Sequence, residues 1–115
     1  MPPRNIDLSN IEHLFKGDRA LVREWIDLYL QESPQYFAQL TTSLASGDAK
    51  ALASAAHDLQ PQAHYLNAAR MLELLTAIEE QAINGDTRSC DELLNALLPV
   101  RDAIDVELRT VLYAG

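Results

Sequence analysis

Three histidines, one cysteine and a pair of adjacent glutamates are the residues whose types could do chemistry in this chain of 115 residues. Neutral imidazole keeps a lone pair near pH 7, because its unperturbed pKa is about 6.5, and so it serves as a nucleophile without a strong neighbouring base. His57 is the histidine to examine first. It stands in the stretch Ala56-His57-Asp58-Leu59-Gln60-Pro61, and His64 follows seven residues later. Seven helical residues separate the two rings by about 10.5 Å, whereas metal ligands on one helix need three- or four-residue spacing, so a metal site is not expected. His13 lies on another element, where nothing recruits it. Glu79 and Glu80 are neighbours. On a helix they point about 100° apart and are expected to form a solvated edge rather than an acid/base pair. Cys90 is the only cysteine; it can form no internal disulfide and is read as a small packing residue. The serines, Ser54 included, have no His/Asp company at useful spacing, so a hydrolase triad is unsupported.

The elements that position these residues are helices. Apolar residues recur at three- and four-residue spacing almost throughout, and no stretch alternates at period two. Asp7 or Ser9 caps a short first helix ending near Phe15, and Lys16-Gly17 breaks the chain before Asp18 caps the next. That second helix shows Leu21, Val22, Trp25, Ile26 and Tyr29 on one stripe. Pro34 lacks the N–H that would bond to the Leu30 carbonyl, which predicts a kink or restart before Phe37, Leu40 and Leu44 continue the face. Asp48 caps a third helix with Leu52, Ala55, Ala56, Leu59, Ala63 and Leu66 inward, closed at Asn67. The fourth carries Met71, Leu74, Leu75, Ile78 and Ala82 and stops at Asn84-Gly85. The last runs from Asp86 or Ser89 to Tyr113, with Leu93, Leu97, Val100, Ile104, Leu108 and Val111 inward and a kink at Pro99. Short links between long amphipathic helices predict an all-α fold: an antiparallel four-helix bundle over about 18–113 with an extra short N-terminal helix, within a single domain spanning 1–115.

On a wheel advancing about 100° per residue, His57 falls roughly 150° from the centre of the third helix's apolar stripe and points at solvent. Lys50, Ala53, Ser54, Gln60, Pro61, His64 and Ala68 share or border that side. Several are small and few are charged, so the surface around the imidazole has room for another protein. Trp25, Tyr29 and Phe37 fall on apolar stripes and are read as core. Tyr65 lies off its stripe, where it packs on a neighbour or borders a partner site.

Bulk properties narrow the partners. Seventeen acidic against nine basic residues give a formal charge of −8, which repels nucleic-acid phosphates and anionic membranes. No run approaches the roughly 18 apolar residues of a membrane span, and the start lacks the apolar core of a signal peptide, so a cytoplasmic protein is the expectation.

The motif Ala56-His57-Asp58-Leu59-Gln60-Pro61, followed by Ala63, Leu66, Asn67 and Ala68, resembles the signature of histidine phosphotransfer (HPt) domains, Ala-His-x-Leu-Lys-Gly with a downstream Leu-Gly-Ala. Asp7-Leu8, the Gly17-Asp18 start, Ile26 to Leu30 before Glu32-Ser33-Pro34, and the Ser46-Gly47-Asp48 turn are similar too, so the likeness covers roughly residues 7 to 100. The resemblance implies that His57 is a phosphoacceptor, taking a phosphoryl group from a receiver-domain aspartyl phosphate and passing it to another receiver. Response-regulator receivers and a hybrid histidine kinase are then the partners. The chain needs no cofactor of its own, since Mg²⁺ sits on the receiver. Gln60, Pro61, His64 and Ala53 would stabilise the phosphoryl group or border the docking surface. Three positions depart from the signature. Gln60 replaces lysine and donates hydrogen bonds without a positive charge; Pro61 replaces glycine and removes the N–H to the His57 carbonyl, predicting a local bend; Asn67 replaces glycine at the helix end. The missing lysine motivates an alternative, a helical interaction module that binds a receiver or kinase without accepting phosphate. An unrelated helical adaptor would leave the exposed histidine in its small-residue surroundings as coincidence. A free-standing, monomeric shuttle is the expected form.

Overall fold

The computed structural model describes residues 5–113. Among these residues there are five helices and no strand: α1 (Ser9–Leu14), α2 (Arg19–Ser46), α3 (Ala49–Tyr65), α4 (Ala69–Ile83) and α5 (Cys90–Tyr113). Helix α2 packs on α3, α3 on α4, α4 on α5, and α5 back on α2, which closes the four long helices into an antiparallel bundle with α1 against α2. Among the described residues no helix is long and apolar enough to cross a membrane.

Local chemistry sets most of the helix ends. The Asp18 carboxylate accepts from the Ala20 and Leu21 N–H groups, and Asp48 accepts from Ala51, each cap contributing about 1 kcal/mol. Helix α1 differs from the expected Asp7 or Ser9 cap: its N-cap is Leu8, with no side-chain cap bond, and Asp7 Oδ1 accepts from the Ser9 N–H at 2.9 Å in the turn that leads into it. Gly47 turns α2 into α3 with φ 71°, and Asn67 ends α3 with φ 50°, left-handed conformations that glycine and asparagine tolerate.

The core runs the length of the bundle. Ile26, Phe37 and Leu40 of α2, Leu52, Ala56 and Leu59 of α3, Met71, Leu75 and Ile78 of α4, and Leu97, Ile104 and Leu108 of α5 are almost wholly removed from water. Each large side chain so buried stabilises the fold by about 1.5–3 kcal/mol. Two stripes are narrower than periodicity puts them, although Leu97, Ile104 and Leu108 of α5 are buried as expected. Leu21 is exposed and Trp25 half-buried while Val22, Ile26 and Tyr29 face inward; in α5, Leu94 is buried, Leu93 and Val100 are half-buried, and Val111 is exposed. In both helices adjacent apolar pairs offer two equally good stripes, and the neighbouring helices select one. Neither proline restarts its helix, since α2 and α5 run unbroken through Pro34 and Pro99. Both rings are exposed, and on that side a carbonyl left without its helical N–H can turn to water.

The selected α5 stripe buries a carboxylate. Asp105 is nearly inaccessible; its Oδ2 lies 3.2 Å from Arg101 Nε, whose guanidinium also covers the Phe37 ring. Asp105 Oδ1, Tyr29 Oη and Ser33 Oγ are buried without a hydrogen-bond partner. Desolvation raises the Asp105 pKa above the usual carboxylate range, against the pull of Arg101 and Arg109. A carboxyl whose pKa is raised by folding adds stability that is complete below its unfolded pKa of about 3.9 and is lost as pH rises through the folded value. Asp105→Asn should therefore gain on the wild type in thermal midpoint as pH is raised from 4 to 7. A constant difference across that range would show that Asp105 is not the titrating group.

Candidate functional site

Helix α3 turns Leu52, Ala55, Ala56, Leu59 and Ala63 to the core. His57 projects from the opposite side, with 68% of its side chain exposed. Ala56 and Ala63 are small and buried, and they lie on the flank of α3 from which Gln60 also projects. That thin flank lets α4 approach closely.

Glu79 of α4 meets His57 there. Its Oε2 lies 2.8 Å from His57 Nδ1, and Gln60 Nε2 donates to its Oε1 at 3.0 Å. The Glu79 side chain is 22% exposed, so its carboxylate is partly sheltered between two polar partners. An ionised carboxylate only accepts, which puts the imidazole N–H on Nδ1 and leaves the Nε2 lone pair on the far edge of the exposed ring. Glu79 thus departs from the expected solvated edge, whereas Glu80 is exposed as expected. A positional signal existed. Relative to the stripe of Met71, Leu74, Leu75, Ile78 and Ala82, Glu79 falls about 80° from the centre and Glu80 about 180°, so Glu79 borders a helix contact.

The other residues singled out by sequence divide into two groups. Gln60 joins His57 in this cluster, but one of its two N–H groups is committed to Glu79 rather than free for a phosphoryl oxygen. Ala53, one turn before His57, is half-buried and packs against the core. Pro61 is exposed and its ring occupies the surface beside His57, yet α3 continues through it to Tyr65 without a break. His64 is exposed and lines a shallow cleft with Ala63, Asn67, Ala68, Ala69 and Leu72, two turns from His57 and outside the Glu79 cluster. Ala68, expected on the outer side, is buried, because the chain has already turned at Asn67.

That turn does more than end a helix. Asn67 Nδ2 donates to the Asp7 carbonyl, Asn10 Nδ2 donates to Asn67 Oδ1 and to the His64 carbonyl, and the Asp7 N–H donates to the Leu66 carbonyl. A glycine at position 67 could make only the turn; asparagine also ties the segment before α1 to the end of α3. Apolar side chains remain uncovered around the site. Tyr65 is 43% exposed and rests edge-on against Trp25, itself stacked on Tyr29. Ile83, one turn beyond Glu79 on α4, is 69% exposed.

Residues 24–110 match the Hpt domain family. They make up most of the chain and include the whole His57, Gln60 and Glu79 cluster, and the chain belongs to that family, whose work is phosphorelay signalling in two-component systems. No curated protein and no solved structure matches it.

Proposed function

We propose that His57 is the phosphoacceptor: its Nε2 attacks the phosphorus of an aspartyl phosphate on a response-regulator receiver, and the phosphoryl group later passes to an aspartate of a second receiver. A receiver of a hybrid histidine kinase is the natural donor. The observation that carries this reading is the exposed imidazole with its Nδ1 edge held by Glu79 and its Nε2 edge open. The Nε2–P bond forms as the P–O bond to the receiver carboxylate breaks; the carboxylate leaves as an anion. Phosphoryl transfer needs mainly in-line positioning and neutralisation of charge on the transferring oxygens. The receiver would bring Mg²⁺ and a lysine for the second task, and this chain the nucleophile and the surface that aligns it.

Tyr65, two turns after His57 on α3, and Ile83, one turn after Glu79 on α4, are exposed apolar side chains for a receiver to cover in a standard interface of about 800 Å² per partner. Ile83→Ser should weaken binding to a cognate receiver about two- to tenfold with the fold unchanged, as read by titration calorimetry. Unaltered affinity would place the docking surface elsewhere.

The binding-only alternative is favoured by one feature, the absence of a basic side chain one turn after His57 where Gln60 stands. Incubation with a phosphorylated receiver decides between the two. Acid-labile, base-stable label on the chain supports transfer, and a complex that forms without label on any receiver supports binding alone.

A further inference from the structure

We infer that the outer face of α5 is a self-docking surface: a second copy of this chain pairs with it, antiparallel, through the stripe Pro99, Asp102, Val106, Arg109 and Tyr113. The pairing does not depend on the chemistry of His57, and it replaces the expected monomer with a weak dimer.

Helix α5 carries two stripes. Leu94, Leu97, Ile104 and Leu108 face the core. Pro99, Asp102, Val106, Arg109 and Tyr113 recur at spacings of three and four on the other side, about 140° from the centre of the first stripe. All five are exposed, Val106 by 62% and Tyr113 by 82%, so the stripe holds apolar surface in water. The three-four spacing is the one by which two helices interlock along a seam. Val106, Arg109, Thr110 and Tyr113 also line a shallow concavity, which gives the face relief for a partner's side chain to enter.

The charges select the occupant. A two-fold axis makes both copies use the same patch, so the patch must be complementary to itself when reversed. Reversal about Val106 sets that valine on its counterpart, Asp102 opposite the second copy's Arg109, Arg109 opposite its Asp102, and each Tyr113 ring over the other Pro99. A uniformly acidic or basic partner would meet one matching and one opposing charge; a reversed second copy meets two matching ones. Neither Asp102 nor Arg109 has an ion-pair partner among the described residues, and Arg109 acts on the buried Asp105 only through its field.

The order of the bundle keeps the transfer sites open in such a pair. Helix α5 packs on α4 and α2 and lies diagonal to α3, so a dimer joined through α5 carries its two His57 side chains on opposite outer sides, each within reach of its own receiver. One stripe of one helix buries less than the about 800 Å² per partner of a standard interface. Each copy also brings a formal charge of −8. The dissociation constant is therefore on the order of 100 µM.

Sedimentation equilibrium at about 0.15 M salt, over concentrations that bracket that constant, tests the pairing. Wild type should pass from monomer to dimer. Val106→Ser, an exposed change that leaves the fold intact, should weaken dimerisation about three- to tenfold. Asp102→Arg sets arginines against each other across the axis and Arg109→Asp sets aspartates, so each variant alone should dimerise at least about tenfold more weakly. An equimolar mixture of the two should associate as wild type does, because both pairs are then matched with their signs exchanged. A wild type that stays monomeric, a Val106→Ser variant that dimerises like wild type, or a mixture no more associated than its components overturns the assignment. NMR signals of Val106 and Tyr113 that move when a receiver is added to the monomer would overturn it in favour of that partner. His57→Gln should dimerise as wild type does, so loss of the phosphoacceptor reading would leave this result standing.

Discussion

His57→Gln should abolish phosphoryl acceptance while leaving the bundle as stable as the wild type. The first half follows from chemistry, because an amide has no lone pair able to form a phosphoramidate with an aspartyl phosphate, and no other exposed nucleophile shares the Glu79 contact. Label from a phosphorylated receiver should fall by at least about a thousandfold, as loss of a nucleophile does elsewhere. The second half follows from exposure. With 68% of the His57 side chain in water, the pair with Glu79 is worth at most about 1 kcal/mol, and glutamine retains an N–H that can face the same carboxylate. Thermal unfolding can be followed through Trp25, the only tryptophan, which stacks on Tyr29 and touches Tyr65 at the α2–α3 contact. Label persisting in the variant would move the acceptor to another residue, His64 being the first to try.

How far the sequence reaches depends on the range of the interaction that decides each feature. Asp18, Asp48 and Asn67 were legible as helix ends because each acts on backbone within a few residues of itself. The inward face of α4 was legible because Met71, Leu74, Leu75, Ile78 and Ala82 form one unambiguous stripe. In α2 and α5 the pairs Leu21/Val22, Trp25/Ile26 and Leu93/Leu94 leave the phase of the stripe open by one residue, and only the packed neighbours resolve it. Pro34, Pro61 and Pro99 interrupt none of their helices: each ring removes one backbone N–H, and packing of the rest of the helix carries it through.

The same division holds at the site. The outward direction of His57 is a property of α3 alone and could be read from its wheel. Its partner could not, since Glu79 lies 22 positions later on another helix, and nothing local states which flank of α4 meets α3. Asn67 was legible as a turn residue, but its ties to Asp7 and Asn10 depend on where the chain before α1 returns, 60 residues away in sequence. Chemistry that joins two helices is written in the packing.

Leu59→Ala provides the converse of the histidine substitution, two residues away on the same helix. Leu59 is fully buried and belongs to the continuous core shared by all four long helices. Truncating it removes the transfer energy of the lost methyl-bearing atoms and leaves a cavity that alanine-lined neighbours such as Ala55 and Ala63 cannot fill, so stability should fall by about 2–5 kcal/mol. For a bundle of this size that lowers the thermal midpoint by about 10–30 °C, read again through Trp25. The surface side of α3 is untouched by the change, and at temperatures where the variant is folded the Nδ1 to Glu79 contact and the open Nε2 remain. Label per folded molecule should therefore stay within about twofold of wild type. A variant as stable as wild type would show that the α3 face has been assigned wrongly by about half a turn. That error would also turn His57 inward and remove the geometry on which transfer depends.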